Sequence, residues 1–173
     1  MLTIDTYVVY GTNGVCQITG IKKEKFGGSE KEYYLLKPIN TEGSIIYVPL
    51  ENTMLTSKIK NLLSLEEIHE LIRIIPEEQT TWITDSKLRG EKYKDIFGRG
   101  DRRELVCMMK AIYIQKKDRN KEGKKLWSGD EKALNIAEKI LFDEFAIVLN
   151  IKPEQVAPYI YHEIQANEEA NES

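Results

Sequence analysis

The sequence predicts an α+β protein of two domains, a small antiparallel β-module followed by an all-helical bundle. Residues 1–52 contain short runs of β-branched and aromatic residues separated by glycine-rich turns. Short strands at this spacing are typical of a strongly bent sheet or a small barrel. After residue 63, apolar residues instead recur at helical spacing, which indicates amphipathic helices. A chain of 173 residues is long enough for two small domains of these kinds.

Turn residues divide the first domain into four predicted strands. Gly11–Gly14 and Phe26–Ser29 are tight turns between apolar runs, and Gly20 marks a bulge or a bend inside the longest run. Pro49 ends the last run, because proline cannot donate a backbone hydrogen bond to a neighbouring strand. The predicted strands are residues 7–10, 15–25, 30–38 and 44–49.

The helices of the second domain are predicted from their apolar stripes and from the residues at their ends. They cover residues 65–75, 84–97, 101–118, 128–149 and 153–164. A proline at position 153 suits the first turn of the last helix. Capping boxes that satisfy the free amides of the first turn are predicted at Ser64 with Glu67, Asp101 with Glu104, and Ser128 with Glu131. The acidic stretch 165–173 is predicted to be a disordered tail, so the predicted domains are residues 1–60 and 61–164.

Charge is unevenly distributed along the chain. The net formal charge is −3, yet residues 80–142 carry 16 basic and 10 acidic residues. Residues 143–173 carry 1 basic and 7 acidic residues. A concentrated basic segment is the electrostatic footprint of a face that binds a polyanion, although a solvated helical face has the same composition.

Residue types and their spacing predict a non-enzymatic, cytoplasmic protein. No apolar run approaches the roughly 18–20 residues of a membrane span, and the first residues lack the pattern of a signal peptide. Cys16 and Cys107 do not have metal-ligand spacing, and His69 and His162 are isolated. We therefore predict no catalytic residue, no metal site, no cofactor and no small-molecule substrate.

The order of parts resembles that of a known family. A β-module that opens with VVYGTNGV and closes on YVPLEN precedes a helical half that opens with TTW and contains SGDEK. This collinear set, over roughly residues 1–150, resembles the CarD/CdnL family of bacterial regulators that bind RNA polymerase. The resemblance implies a Tudor-like fold for residues 1–60 and a helical, DNA-contacting domain for residues 61–164.

The resemblance also implies how the β-module binds its partner. In the family this module docks on the β subunit of RNA polymerase, largely through an edge strand to which the partner adds a strand of its own. Family members carry a basic residue at the position of Tyr47. The matching residues of this chain are Ser44, Ile45, Ile46, Tyr47 and Val48.

For the helical half, the resemblance implies contact with promoter DNA at the upstream edge of the melted region. Trp82 matches the tryptophan that wedges into the minor groove there and hinders closure of the bubble. Lys87 and Lys132 match basic positions of the family. The implied function is stabilisation of the open complex without strong sequence specificity, by a protein expected to be a monomer.

Two positions of this segment depart from the family. Thr84 and Asp85 stand where relatives can be basic. Arg89, Lys92 and Lys94 lie nearby and are candidates to supply that charge to the DNA phosphates.

Other readings of the same residues stay open. Local patterning alone also fits Trp82 as a partly buried packing residue, and Trp127, at the start of the long helix, is expected to pack. The chain could instead be an adaptor whose Tudor-like module binds another protein and whose helical half has no DNA role. An enzyme with a site between the domains would require convergent titratable groups, and the sequence shows no such set.

Overall fold

The structure, a computed structural model, describes residues 2–173 and divides into two compact units, Met1–Leu62 and Leu63–Ser173. The first unit contains a five-stranded antiparallel sheet and the second unit is helical. The predicted α+β fold class is therefore confirmed. Within residues 2–173, no helix is long and apolar enough to cross a membrane.

Over residues 2–62 the first unit contains five strands, one short α-helix and a turn of 3-10 helix at Gly11–Asn13. In chain order the strands and the α-helix are β1 (Tyr7–Tyr10), β2 (Val15–Phe26), β3 (Ser29–Pro38), β4 (Ile46–Pro49), α1 (Thr53–Thr56) and β5 (Ile59–Asn61). The strands lie in the order β4-β3-β2-β1-β5, and each neighbouring pair is antiparallel. The sheet therefore has two edge strands, β4 and β5. The sequence pattern predicts neither α1 nor β5, because both are very short. Helix α1 has four residues, and β5 has three and is defined only by its pairing with β1.

A bulge interrupts the pairing of β2 with β3. Ile18 pairs with Leu36 and Gly20 pairs with Leu35, so Thr19 is the extra residue on β2. The Thr19 hydroxyl donates a hydrogen bond to the carbonyl of Leu35 at 3.3 Å. The predicted bulge or bend at Gly20 is confirmed. One face of the sheet packs into a core of Val8, Cys16, Ile18, Tyr34, Leu36, Val48 and Ile59.

Five helices build the second unit. They are α2 (Leu65–Ile74), α3 (Ser86–Arg99), α4 (Arg102–Lys121), α5 (Ser128–Leu149) and α6 (Pro153–Glu172). The prediction of a disordered tail over 165–173 is wrong, because α6 continues to Glu172 instead of ending near Ile164. Residues 165–172 contain alanine, glutamate, glutamine and asparagine but neither glycine nor proline, so nothing in them ends the helix.

Of the predicted capping boxes, the one at α2 forms completely. Ser64 Oγ accepts from the Glu67 amide at 3.1 Å, and the Glu67 carboxylate accepts from the Ser64 amide at 2.7 Å. The predicted box at Ser128 is wrong. Ser128 is the first helical residue of α5, and the residue in the capping position is Trp127, which has no side-chain acceptor.

Only half of the predicted box forms at the start of α4. Asp101 Oδ1 accepts from the Glu104 amide at 2.9 Å. The Glu104 carboxylate instead accepts from Arg99 Nε at 2.8 Å. Arg99 is the last residue of α3, so this ion pair joins the end of α3 to the start of α4.

A buried carboxylate ties the helices of the second unit together. Glu144 on α5 is fully buried and accepts from Arg102 Nη2 at 3.0 Å and from the Leu63 amide at 2.9 Å. These bonds compensate the cost of burying its charge. Buried apolar residues of the second unit include Ile68, Leu71, Ile72, Leu105, Met109, Ile112, Leu134, Ala137, Leu141, Phe145 and Val156.

Candidate functional sites

A buried ion pair connects α3 to the first turn of α5. Arg89 donates from Nε to Asp130 Oδ1 at 2.7 Å and from Nη2 to Asp130 Oδ2 at 2.8 Å. The two side chains are 5% and 3% exposed. Tyr93 lies one turn beyond Arg89 and donates its hydroxyl to Asp130 Oδ1 at 2.8 Å. The hydrogen bonds to Asp130 raise the pKa of Arg89, and burial, with the same carboxylate, raises the pKa of Tyr93.

The remaining end of the Arg89 guanidinium holds the segment that carries Trp82. Its Nη1 donates to the carbonyl of Ile83 at 2.8 Å and to the carbonyl of Thr84 at 3.2 Å. This segment has no regular secondary structure, so its carbonyls depend on such partners. The prediction that Arg89 contacts phosphate is wrong for this fold, because the guanidinium is buried and engaged by Asp130 and these carbonyls.

Two tryptophans and two arginines form a layered group, the tryptophan stack: Trp82, Trp127, Arg89 and Arg119. The indole rings of Trp82 and Trp127 have centroids 6.3 Å apart and planes inclined by 21°. Arg89 Cζ lies 4.4 Å from the centroid of Trp82 and 5.3 Å from that of Trp127. Arg119 Cζ lies 3.6 Å from the centroid of Trp127. Offset stacking and cation–π contacts both favour this arrangement.

Both rings of the stack reach the surface. Trp127 is 45% exposed and Trp82 is half-buried. Trp82 also lines an open cavity of about 320 Å³, together with Arg89, Lys92 and Tyr93. The packing expected of Trp127 is therefore observed, and Trp82 packs and is accessible at the same time.

The four predicted lysines of the DNA-contacting set are exposed. Lys87, Lys92 and Lys94 lie on α3, and Lys132 lies on α5. None of them takes part in a salt bridge within residues 2–173. The structure brings Lys92 to the cavity beside Trp82, whereas Lys132 lines a separate shallow depression on α5.

Asp85 has a structural reason to be acidic in this chain. Its Oδ1 accepts from the amides of Lys87 and Leu88, both at 2.9 Å, and so caps the start of α3. A carboxylate at a helix N-terminus also interacts favourably with the helix dipole. A basic side chain could not accept these two bonds.

The predicted docking residues lie at or just before the edge strand β4. Ile46, Tyr47 and Val48 belong to β4, whereas Ser44 and Ile45 precede it. Val48 is fully buried in the core of the sheet, and Tyr47 is 37% exposed. Because β4 has a neighbour on one side only, its other side is free for a further strand.

The pairing phase shows which backbone groups of β4 face that free side. Leu50 donates its amide to Glu32 at 2.9 Å, and Val48 is the register partner of Tyr34 on β3. In an antiparallel pair, residues that bond to the neighbour alternate with residues whose amide and carbonyl point away from it. Val48 lies two residues before Leu50, so Val48 also bonds to β3. The amide and carbonyl of the intervening strand position, Tyr47, therefore point to the free edge.

Residues 2–60 match the family model described as the CarD-like/TRCF RID domain. The first unit is a CarD-like domain. The matched residues include β1 to β4, α1 and most of β5. At the same time, no curated protein matches the chain.

The match of residues 2–60 to the CarD-like/TRCF RID domain supports a transcription-related role in which this domain binds RNA polymerase. Domains of this kind are protein-interaction domains of non-enzymatic regulators. The match to the CarD-like domain ends at residue 60. It therefore covers β4 but neither the tryptophan stack nor the four lysines of the predicted DNA-contacting set.

A second polar cluster of the helical unit surrounds Glu78. Cys107 donates its thiol to Glu78 Oε2 at 3.3 Å, and Arg103 pairs with the other carboxylate oxygen. Burial, with the hydrogen bond to Glu78, raises the pKa of Cys107 to about 11. The thiol is therefore protonated near neutral pH and is a poor nucleophile. In the part of the chain that the structure describes, no three His, Cys, Asp or Glu residues are placed to hold a metal ion.

Sequence reasoning missed the residues that organise the stack. Tyr93 has no feature that separates it from ordinary polar helix residues, and Arg119 lies in a basic stretch. Asp130 lies in the SGDEK motif, but the motif does not indicate its partner. A second signal is the spacing of Arg89 and Tyr93, which places them on the same face of α3. Only the fold shows that Asp130 lies opposite both.

Proposed function

We propose that this chain is a bacterial transcription regulator that stabilises the open promoter complex. It docks on the β subunit of RNA polymerase through β4, and its helical unit contacts DNA upstream of the bubble without strong sequence specificity. We propose that it does so as a monomer in the cytoplasm. The observation that carries the proposal is the CarD-like match of a sheet in which β4 is an edge strand.

Strand addition accounts for the docking step. The amide and carbonyl of Tyr47 point to the free edge, and these groups can bond to an extended segment of the β subunit. Pro49 has no amide, and its carbonyl already accepts from Asn52 at 3.1 Å. We therefore propose a short added strand centred on Tyr47 and reaching back toward Ser44.

An accessible tryptophan held in place by its surroundings accounts for the effect on the promoter. An indole ring gains contact with a base step only where that step is already unstacked, so it favours the open state over the closed state. The Arg89 bonds to Ile83 and Thr84 hold the Trp82 segment before DNA arrives. Less ordering is then required on binding.

The exposed lysines supply attraction without sequence preference. Lys87, Lys92, Lys94 and Lys132 are available for phosphate, since none is engaged in a salt bridge among the described residues. Contacts of this kind position a protein on DNA and carry no base information. The proposed phosphate-binding set therefore consists of these four lysines and no longer includes Arg89.

The test is the lifetime of the open complex on a linear promoter, followed with a fluorescent bubble probe and bacterial RNA polymerase. We expect the intact protein to lengthen the lifetime and Trp82→Ala to return it toward the value without protein. Tyr161→Ala is the matched control, because Tyr161 is an aromatic residue of the helical unit that is 64% exposed on α6. It should lengthen the lifetime as the intact protein does.

Two results would contradict parts of the proposal. If Trp82→Ala, shown to be folded by circular dichroism, stabilised the complex fully, the lysines and not the ring would carry the effect. If the intact protein bound polymerase but changed no lifetime and bound no DNA, the chain would be an adaptor. The stacking of Trp82 on Trp127 favours the adaptor as the second candidate, since it gives the ring a packing role.

A further inference from the structure

Three aromatic side chains meet on one face of the sheet, next to its free edge. We call Phe26, Tyr33 and Tyr47 the aromatic cluster. The ring centroids are 5.3 Å apart for Phe26 and Tyr33, 5.5 Å for Phe26 and Tyr47, and 6.1 Å for Tyr33 and Tyr47. All three pairs are edge-to-face, an arrangement that aromatic quadrupoles favour.

The cluster lies on the face opposite the core. Tyr34 on β3 and Val48 on β4 point into the core, and successive side chains of a strand point to opposite faces. Tyr33 and Tyr47 therefore lie on the other face. Tyr33 is 6% exposed beneath its neighbours, but Phe26 is 53% exposed. Large apolar surfaces that are exposed together indicate an interaction site.

Charges near the cluster are paired with each other. Lys22 Nζ lies 2.5 Å from Glu24 Oε1, and Lys31 Nζ lies 3.7 Å from Glu51 Oε2. The hydrogen bond to Glu24 raises the pKa of Lys22. Each of these two cations is therefore balanced by a carboxylate.

One residue joins the cluster to the docking edge. The amide and carbonyl of Tyr47 point to the free side of β4, and its ring belongs to the cluster. A strand added to β4 would place a side chain directly beside Tyr47 on the same face, where cross-strand neighbours interact. An apolar side chain would gain contact area there, whereas an acidic one would find the nearby cation, Lys22, already paired with Glu24.

We infer that the aromatic cluster determines which segment docks, by accepting an apolar side chain of the added strand. This inference rests on the proposed docking to polymerase and identifies the chemistry of that contact. The partner is an extended segment of the β subunit with an apolar residue opposite Tyr47. Affinity comes from backbone hydrogen bonds and aromatic contact, not from an ionic pair.

Binding of the full chain to purified RNA polymerase tests the inference. We expect Tyr47→Ala and Phe26→Ala each to raise the Kd by about tenfold or more, as truncation of a central aromatic anchor does. Tyr47→Phe keeps the ring and should bind within about twofold of the intact protein. Tyr7→Ala is the matched control, since Tyr7 is a tyrosine of the same sheet that is 41% exposed. Thermal melts establish that each variant is folded.

Salt dependence gives a second readout. We expect the Kd to change by less than about threefold between about 50 and 300 mM NaCl, because exposed ionic contacts are screened over this range and apolar contacts are not. A folded Tyr47→Ala protein that binds as tightly as the intact one would overturn the inference, as would a steep loss of affinity with salt. Both results would leave the proposed docking intact. Absence of binding by the intact protein would instead overturn the proposed function together with the inference.

Discussion

Arg89 and Asp130 form a two-point ion pair, with N···O distances of 2.7 and 2.8 Å, in a position where neither side chain reaches solvent appreciably. The pair does two things in the helical unit. It joins α3 to α5, and it fixes the orientation of a guanidinium that contacts both Trp82 and Trp127. The geometry of the tryptophan stack therefore depends on the buried ion pair between Arg89 and Asp130.

Removal of one partner of this pair should destabilise the helical unit strongly. We expect Asp130→Asn to lower the free energy of unfolding by about 3–5 kcal/mol, because it leaves the Arg89 charge buried without its counter-charge. Urea unfolding measures the change. Arg99→Ala is the control, since Arg99 belongs to an ion pair that is largely exposed and should matter far less. Equal effects of the two variants would show that burial of Arg89 is not important.

The two tryptophans should be optically coupled. They are the only two in the chain, and stacked indoles give a paired positive and negative band in the circular dichroism spectrum. We expect Trp82→Phe and Trp127→Phe each to abolish the pair of bands, since either substitution leaves one indole. Asp130→Asn should weaken it, because Arg89 loses its fixed position. A spectrum that is the simple sum of two independent indoles would contradict the stack.

Each proposed lysine contact should contribute to the salt dependence of DNA binding. For each lysine that contacts a phosphate, substitution by alanine should reduce the slope of log K against log salt by about one. The affected residues are Lys87, Lys92, Lys94 and Lys132. Fluorescence anisotropy with a forked duplex measures the slope. Lys60→Ala, in the sheet, is the control and should leave the slope unchanged. If none of the four lysine substitutions changed the slope, these lysines would not contact the DNA.

The thiol of Cys107 should make stability fall at high pH. Its pKa is raised to about 11 in the folded chain, compared with 9.0 for an unperturbed thiol. A raised pKa means that the unfolded thiol ionises first, so the contribution is complete below pH 9 and is lost as the pH rises toward 11. Urea unfolding at intervals across this range should show a shallower decline for Cys107→Ala. Parallel profiles for the two proteins would show that the thiol does not titrate differently on folding.

The sequence was sufficient for elements whose cause is local. Apolar periodicity together with an N-cap located α2, where Ser64 and Glu67 satisfy each other within one turn. Glycine and β-branched runs located four strands. The end of α6 shows where local reasoning fails: the acidic composition predicts disorder, yet residues 165–172 form helix. Acidic charge does not prevent a helix when the residues have good intrinsic propensity.

Tertiary structure alone decided the roles of the polar side chains. In the sequence Arg89 is one more cation in a basic segment. In the structure it is buried, because Asp130 from a distant part of the chain supplies the counter-charge that makes burial tolerable. Phe26, Tyr33 and Tyr47 likewise become one surface only through the pairing of β2, β3 and β4. Residue type and spacing determine local conformation, whereas the electrostatic and apolar environment of a side chain depends on neighbours that only the complete fold brings together.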